Sequence, residues 1–175
     1  VSFSDDQQDS YYGSDQYLAE QRIGFLNFIW DKRYGNHQLV SGSTGRYQLY
    51  NDNTVATADS LDGRIIDRPD EQVIPGLFVQ DEWRLTDRSI LMLGVRLDHY
   101  DAHGNIFSPR INFKQKTSDW TTLRLNFGTG FRTVNLFAED HAFVTGQREV
   151  VIVGDIAPER SYNLTLNANH IYVLG

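Results

Sequence analysis

One unbroken run of alternating side chains limits what this chain can fold into. Residues 89–101 read "SILMLGVRLDHYD", and in an extended chain successive side chains point to opposite faces. One face is then apolar and the other polar or small: Leu91, Leu93, Val95 and Leu97 against Met92, Gly94, Arg96, Asp98 and Tyr100. The twelve residues from Ser89 to Tyr100 predict a strand of ~40 Å at ~3.3 Å per residue. Ordinary globular strands have only about 5–6 residues.

The same alternation recurs along the chain, and the runs are joined by connections of two kinds. Three are tight and contain the residues that make hairpin turns: 35–36, 86–88 and 117–119. Two are long, 53–75 and 132–158, and loops beyond about 12–15 residues are uncommon in soluble domains. The pattern predicts seven or eight antiparallel strands, seven of which lie at 20–34, 37–52, 76–85, 89–101, 108–116, 120–131 and 159–173.

Tight turns on one side and long connections on the other are typical of a transmembrane β-barrel. A strand of ~40 Å tilted by ~45° rises about 28 Å, close to the ~25 Å apolar band of an outer-membrane barrel. The predicted fold class is therefore an all-β, antiparallel transmembrane β-barrel with apolar rows toward lipid and polar rows toward a hydrated lumen. Two alternatives remain. One is a small closed barrel of eight strands with a structural role, and the other is a soluble β-sandwich that binds carbohydrate.

Composition and charge exclude several classes of protein. The chain of 175 residues has a formal net charge of −7 and a pI of about 5.1, which disfavours a nucleic-acid partner. It has no cysteine, so disulfides and thiolate metal sites are excluded. No run approaches the ~18 uncharged apolar residues that a membrane helix needs. The chain starts at Val1 and stops inside an alternating run, so we expect a piece of a longer protein.

The three tryptophans share one position. Trp30, Trp83 and Trp120 each lie within five residues of a predicted tight turn, whereas Tyr and Phe occupy the ends of the long connections. Aromatic girdles at the two membrane interfaces predict this distribution. Two residues fit the alternation badly. Asp81 shares a face with Trp83, and Trp120 shares one with Arg124.

Patterns for catalysis or metal binding are weak. His99, Asp101 and His103 alternate and would share one face, but polar tips at the mouth of a strand are the preferred interpretation. The acidic and histidine residues at 139–141 are consecutive, so an extended chain cannot aim all three at one ion. The acidic connection 53–75 lacks the ligand spacing of a calcium loop. No nucleophile elbow or dinucleotide fingerprint occurs, and we expect neither an enzyme nor a resident cofactor.

Four sequence blocks follow one another between residues 76 and 170. They are "LFVQDEWRLTDRSILMLGVRLDHYD", "FSPRINF", "LRLNFGTGFR" and "IAPERSYNLTLN". In this order they resemble the barrel domain of TonB-dependent outer-membrane receptors, with its Gln-Asp-Glu-Trp, Leu-Gly-x-Arg-x-Asp, Ser-Pro-Arg, Gly-Thr-Gly-Phe-Arg and Pro-Glu-x-Ser segments. The residues 133–135 depart from the family pattern, in which a proline often stands there. The resemblance implies that residues 1–175 are a partial arc of a barrel of about twenty-two strands round a plug domain.

The resemblance also implies a function and partners. Such receptors import a scarce, bulky nutrient across the cell outer membrane, and siderophore–iron, haem, cobalamin and oligosaccharides are the usual classes. Extracellular loops and the plug bind the nutrient, and the TonB complex supplies energy by pulling on the plug. The expected partners are therefore outer-membrane lipid, the protein's own plug domain, the TonB complex through that plug, and a small nutrient ligand.

Six residues of the polar rows are the candidates for the lumen wall: Arg96, Asp98, Arg110, Lys114, Arg124 and Asn126. We expect them to pair with one another across strands, to hydrate the lumen and to seat the plug. Exposed pairs of this kind are worth only about 0.2–1 kcal/mol each, so hydration and seating are the main expected roles.

An epitope tag tests the topology that the two kinds of connection imply. Inserted at Leu61 of the complete receptor, the tag should be labelled by antibody on intact cells because long connections face outward. The same tag at Asp87 should be labelled only after the outer membrane is permeabilised. Labelling at Asp87 without labelling at Leu61 would invert the topology.

Overall fold

The regular elements in the described part of the chain are all strands. The computed structural model describes residues 1–12, 15–52, 57–61, 64–132 and 157–172. These ranges contain ten strands: β1 (Ser2–Tyr12), β2 (Asp15–Tyr34), β3 (His37–Asp52), β4 (Ala58–Leu61), β5 (Arg64–Asp67), β6 (Asp70–Thr86), β7 (Ser89–Tyr100), β8 (Gly104–Lys116), β9 (Thr121–Arg132) and β10 (Glu159–His170). Within the same ranges, no helix is long and apolar enough to cross a membrane.

Eight of the ten strands form one sheet in the order β1-β2-β3-β6-β7-β8-β9-β10, and β4 pairs with β5 in a separate hairpin. The predicted all-β, antiparallel class is confirmed. In the part of the chain that the structure describes, β1 and β10 are the two edges of the large sheet and do not pair with each other. Within the described strands the ladder of the large sheet is thus open at β1 and β10.

The ends of several strands differ from the prediction. β7 covers the twelve residues that the alternation indicated. The second tight turn is only Asp87-Arg88, because β6 continues through Thr86. The third turn is longer than predicted, since β9 begins at Thr121. Trp120 consequently lies outside the strand. The alternation of faces does not extend to it, so Trp120 need not share a face with Arg124.

Three stretches that lie outside the strands predicted from the sequence contain strands. The polar segment 5–16 belongs to β1 and the start of β2, the acidic connection 53–75 contains β4, β5 and the start of β6, and β8 begins already at Gly104. The reason is backbone pairing. β1 pairs with β2 along its whole length, from Ser2↔Phe25 to Tyr12↔Asp15, so hydrogen bonds support a strand whose side chains show no alternation. Most of the connection 132–158, including residues 139–141, lies outside the described residues.

Two compact units share the strands of this sheet. The first contains Val1–Leu26 and Gly45–Ile74, and the second contains Asn27–Thr44, Pro75–Arg132 and β10. In the second unit, residues that pair directly across strands point to the same face of the sheet. One face of the sheet, which we call the exposed face, carries apolar side chains that are accessible to solvent. They are Leu77, Val79, Leu93, Val95, Leu97, Ile111, Leu125, Leu164 and Leu166. The covered face carries Gly76, Gly94, Arg96, Asp98 and Ile106, of which only Arg96 is more than slightly accessible.

Leu93 and Met92 are consecutive residues whose side chains point to opposite faces of the sheet. The same substitution made at each position therefore tests which face meets lipid. Leu93 is 47 % exposed, whereas Met92 lies beside Glu82 of β6 and accepts a long contact from Asn112 Nδ2 at 3.5 Å. Leu93→Arg should cost ~2–4 kcal/mol if the exposed face meets lipid. Met92→Arg should cost much less, because the new cation would lie beside a carboxylate.

Both substitutions are to be made in the complete receptor, and the free energy of unfolding is read by denaturant titration after refolding into bilayers. A larger cost at Met92 than at Leu93 would show that the lipid and lumen faces are assigned backwards.

Candidate functional site

A bidentate ion pair occupies the centre of the covered face. The Arg96 guanidinium donates from Nε to Asp98 Oδ2 at 2.7 Å and from Nη2 to Asp98 Oδ1 at 2.6 Å. The Asp98 side chain is only 3 % exposed. Arg96 Nη2 also donates to Thr44 Oγ1 at 3.1 Å, which ties β7 to β3 across the intervening strand. Fork geometry of this kind is the strong form of an arginine–carboxylate contact.

Gly76 makes this network possible. It lies on β6 directly opposite Asp98, and a Cβ at Gly76 would stand 2.5 Å from Asp98 Oδ1 and 2.5 Å from Thr44 Oγ1. Any side chain there would collide with both the Asp98 carboxylate and the Thr44 hydroxyl, the two groups that accept from Arg96. The glycine thus leaves a gap in the middle strand, and the charged groups of the neighbouring strands meet across it.

Two further glycines on the covered face have the same role. A Cβ at Gly94 would stand 2.9 Å from Arg110 Cγ, and a Cβ at Gly42 would stand 2.6 Å from Phe78 Cζ. In each case a long side chain lies flat over a glycine instead of standing away from the sheet. The covered face is therefore filled by side chains that cross sideways, which explains why it is less accessible than the opposite face.

All six candidates for the lumen wall fall on the covered face. The register pairs Gly94 with Arg110, Asn112 with Asn126 and Lys114 with Arg124. The expected ion pairs across strands are nevertheless absent among these six in the described ranges, because Arg96 and Asp98 pair within one strand. Lys114 and Arg124, which lie directly opposite each other, are both cations.

Asp81 stays on the exposed face, and a histidine forms a hydrogen bond with it there. β6 and β7 pair without a break from Gly76 to Arg84, and the irregularity between Arg84 and Thr86 comes too late to turn Asp81 round. Instead, His37 Nδ1 lies 2.7 Å from Asp81 Oδ2, and the imidazole stacks on Trp83 with ring centroids 5.1 Å apart. A polar pair beside an aromatic ring near a tight turn suits a boundary between apolar and wet surroundings.

The three tryptophans are exposed and stay close to the tight turns. Trp30 lies in β2 five residues before Gly35, Trp83 lies in β6 four residues before Asp87, and Trp120 lies in the third turn. Their role as an aromatic girdle stays a prediction.

A tyrosine network forms the second polar cluster, in the first unit. Tyr17 and Tyr50 share a hydrogen bond between hydroxyls at 2.7 Å, and Tyr50 donates to Asp52 Oδ2 at 3.1 Å. The buried Thr57 hydroxyl accepts from the Asp52 backbone N–H at 2.9 Å, which fixes the end of β3. Tyr50 lies thirteen residues after His37, about 43 Å along an extended strand, which exceeds the ~35 Å that a tilted strand needs to cross the membrane.

Burial, then the hydrogen bond to Tyr17 and the Asp52 charge, raise the pKa of Tyr50 above its ordinary value. The phenol consequently stays neutral and keeps its proton as a donor. Two phenols with a neighbouring carboxylate can hydrogen-bond a polar ligand, although each group already has a partner within the cluster.

Metal-ligating side chains do not gather in the described residues, where no group of three or more could hold an ion. His99 Nδ1 lies 2.8 Å from Asn105 Oδ1, and His99 Nε2 is 3.9 Å from Asp101 Oδ1. His103 packs against the Tyr100 ring at 6.3 Å instead of joining them. His99 thus interacts with Asn105 and Asp101, whereas His103 contacts Tyr100.

Sequence reasoning missed Thr44, Gly76 and His37, each of which lies on a different strand from its partner. A signal existed in the glycines. Gly76 and Gly94 interrupt otherwise bulky strands, and an interior glycine often marks a place where another group approaches closely. The partner could not be found without the register between strands.

The chain is similar to known proteins along most of its length. The family model described as "TonB dependent receptor-like, beta-barrel" matches residues 1–173. The iron-regulated outer membrane virulence protein of Vibrio cholerae serotype O1 is 30 % identical over 135 residues, which are 76 % of this chain and 20 % of that protein. The chain thus spans about a fifth of the length of this relative.

Solved structures show the same fold. The siderophore receptor PirA from Acinetobacter baumannii superposes with a TM-score of 0.69 at 19 % identity, over 93 % of this chain and 26 % of that one. The ferric enterobactin receptor of Pseudomonas aeruginosa (Q482A mutant), solved in complex with enterobactin, gives a TM-score of 0.57 at 20 % identity, over 73 % and 20 % of the two chains.

Substitutions at the central ion pair test how much the covered face depends on it. Asp98→Asn keeps the shape but leaves the Arg96 guanidinium without its counter-charge, and should lower the free energy of unfolding by about 1–3 kcal/mol. Gly76→Ala should cost about 1–3 kcal/mol by overpacking the same place. Asp119→Asn is the control, because the Arg88–Asp119 pair is exposed and worth about 0–1 kcal/mol. Denaturant titration of the complete receptor measures all three, and an equal cost at Asp98 and Asp119 would contradict a central role.

Proposed function

The chain belongs to the β-barrel family of TonB-dependent receptors, proteins of the cell outer membrane, and from that premise we propose that it forms part of the barrel wall of an iron–siderophore importer. Residues 1–175 would then supply eight neighbouring strands of a larger barrel. The carrying observation is the family match along almost the whole chain, combined with a two-faced sheet of membrane-spanning length.

The exposed face supports contact with lipid. It presents one aliphatic row after another with Asp81 hydrogen-bonded to His37, and soluble proteins rarely expose apolar patches beyond a few hundred Å². Contact with lipid avoids the unfavourable free energy of exposing this apolar face to water. The girdle residues Trp30, Trp83 and Trp120 would then lie at the interface on the side of the tight turns.

The covered face supports a polar lumen. Its charges are either paired, as in Arg96–Asp98, or accompanied by amides such as Asn112 and Asn126. A face of this kind is wetted or packed against other polar groups, and it does not fit a dry core. We infer that it faces the plug domain, and that the TonB complex acts on that plug and not on these strands.

Iron–siderophore is the proposed cargo because the relatives and neighbours point to it by name, through an iron-regulated outer-membrane protein and siderophore receptors. The role is that of a receptor and transporter, with no reaction catalysed. The tyrosine network of Tyr17 and Tyr50 lies beyond the membrane-crossing length of its strand, where extracellular ligand contacts are made. Haem, cobalamin and oligosaccharides are the other classes that the test must compare.

Uptake of ⁵⁵Fe tests the cargo. A strain lacking the complete receptor should lose uptake of iron from at least one defined siderophore under iron limitation, and the restored gene should recover it. Uptake should also vanish in a strain without TonB, since the transport needs coupled energy. Unchanged uptake from every siderophore, with loss of growth on haem, cobalamin or an oligosaccharide, would replace iron–siderophore by that nutrient.

A further inference from the structure

A groove opens in the exposed face across β2, β3, β6 and β7. Its lining includes Phe28, Ser41, Ser43, Leu77, Leu97 and Phe107. We propose that this groove and the charged residues at its end near the tight turns bind one phospholipid with a phosphoethanolamine headgroup. Asp81 takes the ammonium, Lys32 takes the phosphate and the groove takes an acyl chain. The inference rests on the proposed function, because it requires the exposed face to meet lipid, and it adds a defined lipid at a defined place.

The groove has the size and the lining of a site for a hydrocarbon chain. It is an open cavity of about 480 Å³ within the second compact unit. Ser41 and Ser43 contribute only small side chains to it, whereas Phe28, Leu77 and Leu97 are bulky and apolar. Ligand pockets of about 300–1,000 Å³ with apolar walls are common in proteins. An acyl chain can therefore lie in the groove, while a charged group would lose its hydration there.

Three strands bring opposite charges together at the end of the groove near the tight turns. The two-residue turn between β2 and β3 puts Lys32 opposite Leu39. The Arg84 N–H donates to the Asn36 carbonyl, which puts Leu39 opposite Asp81. Lys32 and Asp81 therefore share the exposed face, two strand spacings apart, or about 10 Å between Cα atoms.

Neither charge is neutralised by a full opposite charge within the described residues. Lys32 is exposed, forms no ion pair there, and has its Nζ 5.0 Å from the centroid of the Tyr34 ring. The Asp81 side chain is 34 % exposed. Its Oδ1 is buried without a hydrogen-bond partner, so the accessible oxygen is Oδ2, 2.7 Å from His37 Nδ1. A carboxylate oxygen accepts more than one hydrogen bond, and with a neutral imidazole the pair keeps one negative charge.

A phosphoethanolamine headgroup is complementary to this pair of charges. Its ammonium donates N–H groups that the Asp81 carboxylate accepts, and its phosphate accepts from the Lys32 ammonium. The two headgroup charges are joined through two carbon atoms, so one molecule reaches both side chains. A choline headgroup has no N–H to donate, and a glycerol headgroup has no cation. The site therefore distinguishes lipids by their headgroup.

The depth of the charged pair suits a headgroup attached to a chain in the groove. Trp30 lies two residues before Lys32 on β2, Trp83 lies two residues after Asp81 on β6, and both tryptophans are exposed. Tryptophan is enriched at the level of the headgroups. Ser41 stands farther from the turn than the charged pair, so the groove begins where a headgroup would end.

Native mass spectrometry of the complete receptor tests the proposal. The purified receptor in detergent is titrated with phosphatidylethanolamine, phosphatidylcholine and phosphatidylglycerol of identical acyl chains, and the dissociation constants of the first bound lipid are compared. Phosphatidylethanolamine should bind at least about fivefold more tightly than the other two, because it alone offers both an N–H donor cation and a phosphate. Soluble glycerophosphoethanolamine in large excess should not displace it, since this molecule has no chain for the groove.

Single substitutions separate the headgroup from the chain. Asp81→Asn should weaken binding of phosphatidylethanolamine at least about fivefold and leave phosphatidylglycerol unchanged, because the lost contact is to the ammonium. Lys32→Gln should weaken both lipids. Ser43→Leu should weaken all three by filling the groove, with the preference for phosphatidylethanolamine retained. Glu82→Gln is the matched control, since Glu82 follows Asp81 on β6 but points to the covered face, and it should change none of the three constants.

Heat-modifiable mobility on gels confirms that each variant barrel is folded. If Asp81→Asn does not fold, Lys32→Gln and Ser43→Leu carry the test. Equal binding of the three lipids would overturn the proposal by showing contact without selection. Displacement by glycerophosphoethanolamine would reject a membrane lipid as the occupant, and an equal loss in Glu82→Gln and Asp81→Asn would place the preference elsewhere on the barrel.

The proposed function has separate tests. Unselective lipid binding in a receptor that still takes up ⁵⁵Fe, and in which Leu93→Arg still costs more than Met92→Arg, would reject this lipid site and leave the importer and its lipid-facing side intact. Selective binding that depends on Asp81 in a receptor without iron uptake would support the lipid site and reject only the cargo.

Discussion

The hydrogen-bonded ladder between neighbouring strands is the constraint on which the rest of this structure depends. Because side chains alternate with a period of two, the ladder assigns every residue of β6, β7, β8 and β9 to one of two faces once a single pair is fixed. The pairing from Gly76↔Asp98 to Arg84↔Ile90 is unbroken, although it places the carboxylate of Asp81 on the apolar face. Asp81 cannot leave the exposed face without a shift in the register of β6 against β7, and His37 forms a hydrogen bond with it there.

Glycines convert that ladder into a packed polar wall. At Gly76, Gly94 and Gly42 a missing side chain lets a long neighbour lie across the strand, and the Arg96–Asp98–Thr44 network occupies the first of these gaps. The energy of each contact is small on an accessible surface, but Asp98 is almost completely buried. A buried carboxylate has to be paired, so the arginine beside it and the glycine opposite it form one unit with it.

The two kinds of charge on the covered face have different consequences. Arg96 and Asp98 satisfy each other and shape the wall from within. Arg110, Lys114 and Arg124 lie on the same face and form no ion pair within the described residues.

The sequence alone determined the strand class, the span of β7, the positions of the tight turns to within one residue, and the alternation that puts the six lumen candidates on one face of the sheet. It could do so because alternation and turn chemistry are local properties. Which residues meet across strands was decided only by the tertiary structure. The pairing of Thr44 with Arg96, 52 residues apart, and of His37 with Asp81, 44 residues apart, depends on the order and register of the strands. The polar strand β1 likewise exists because β2 supplies its hydrogen bonds, and no pattern in its own side chains records that.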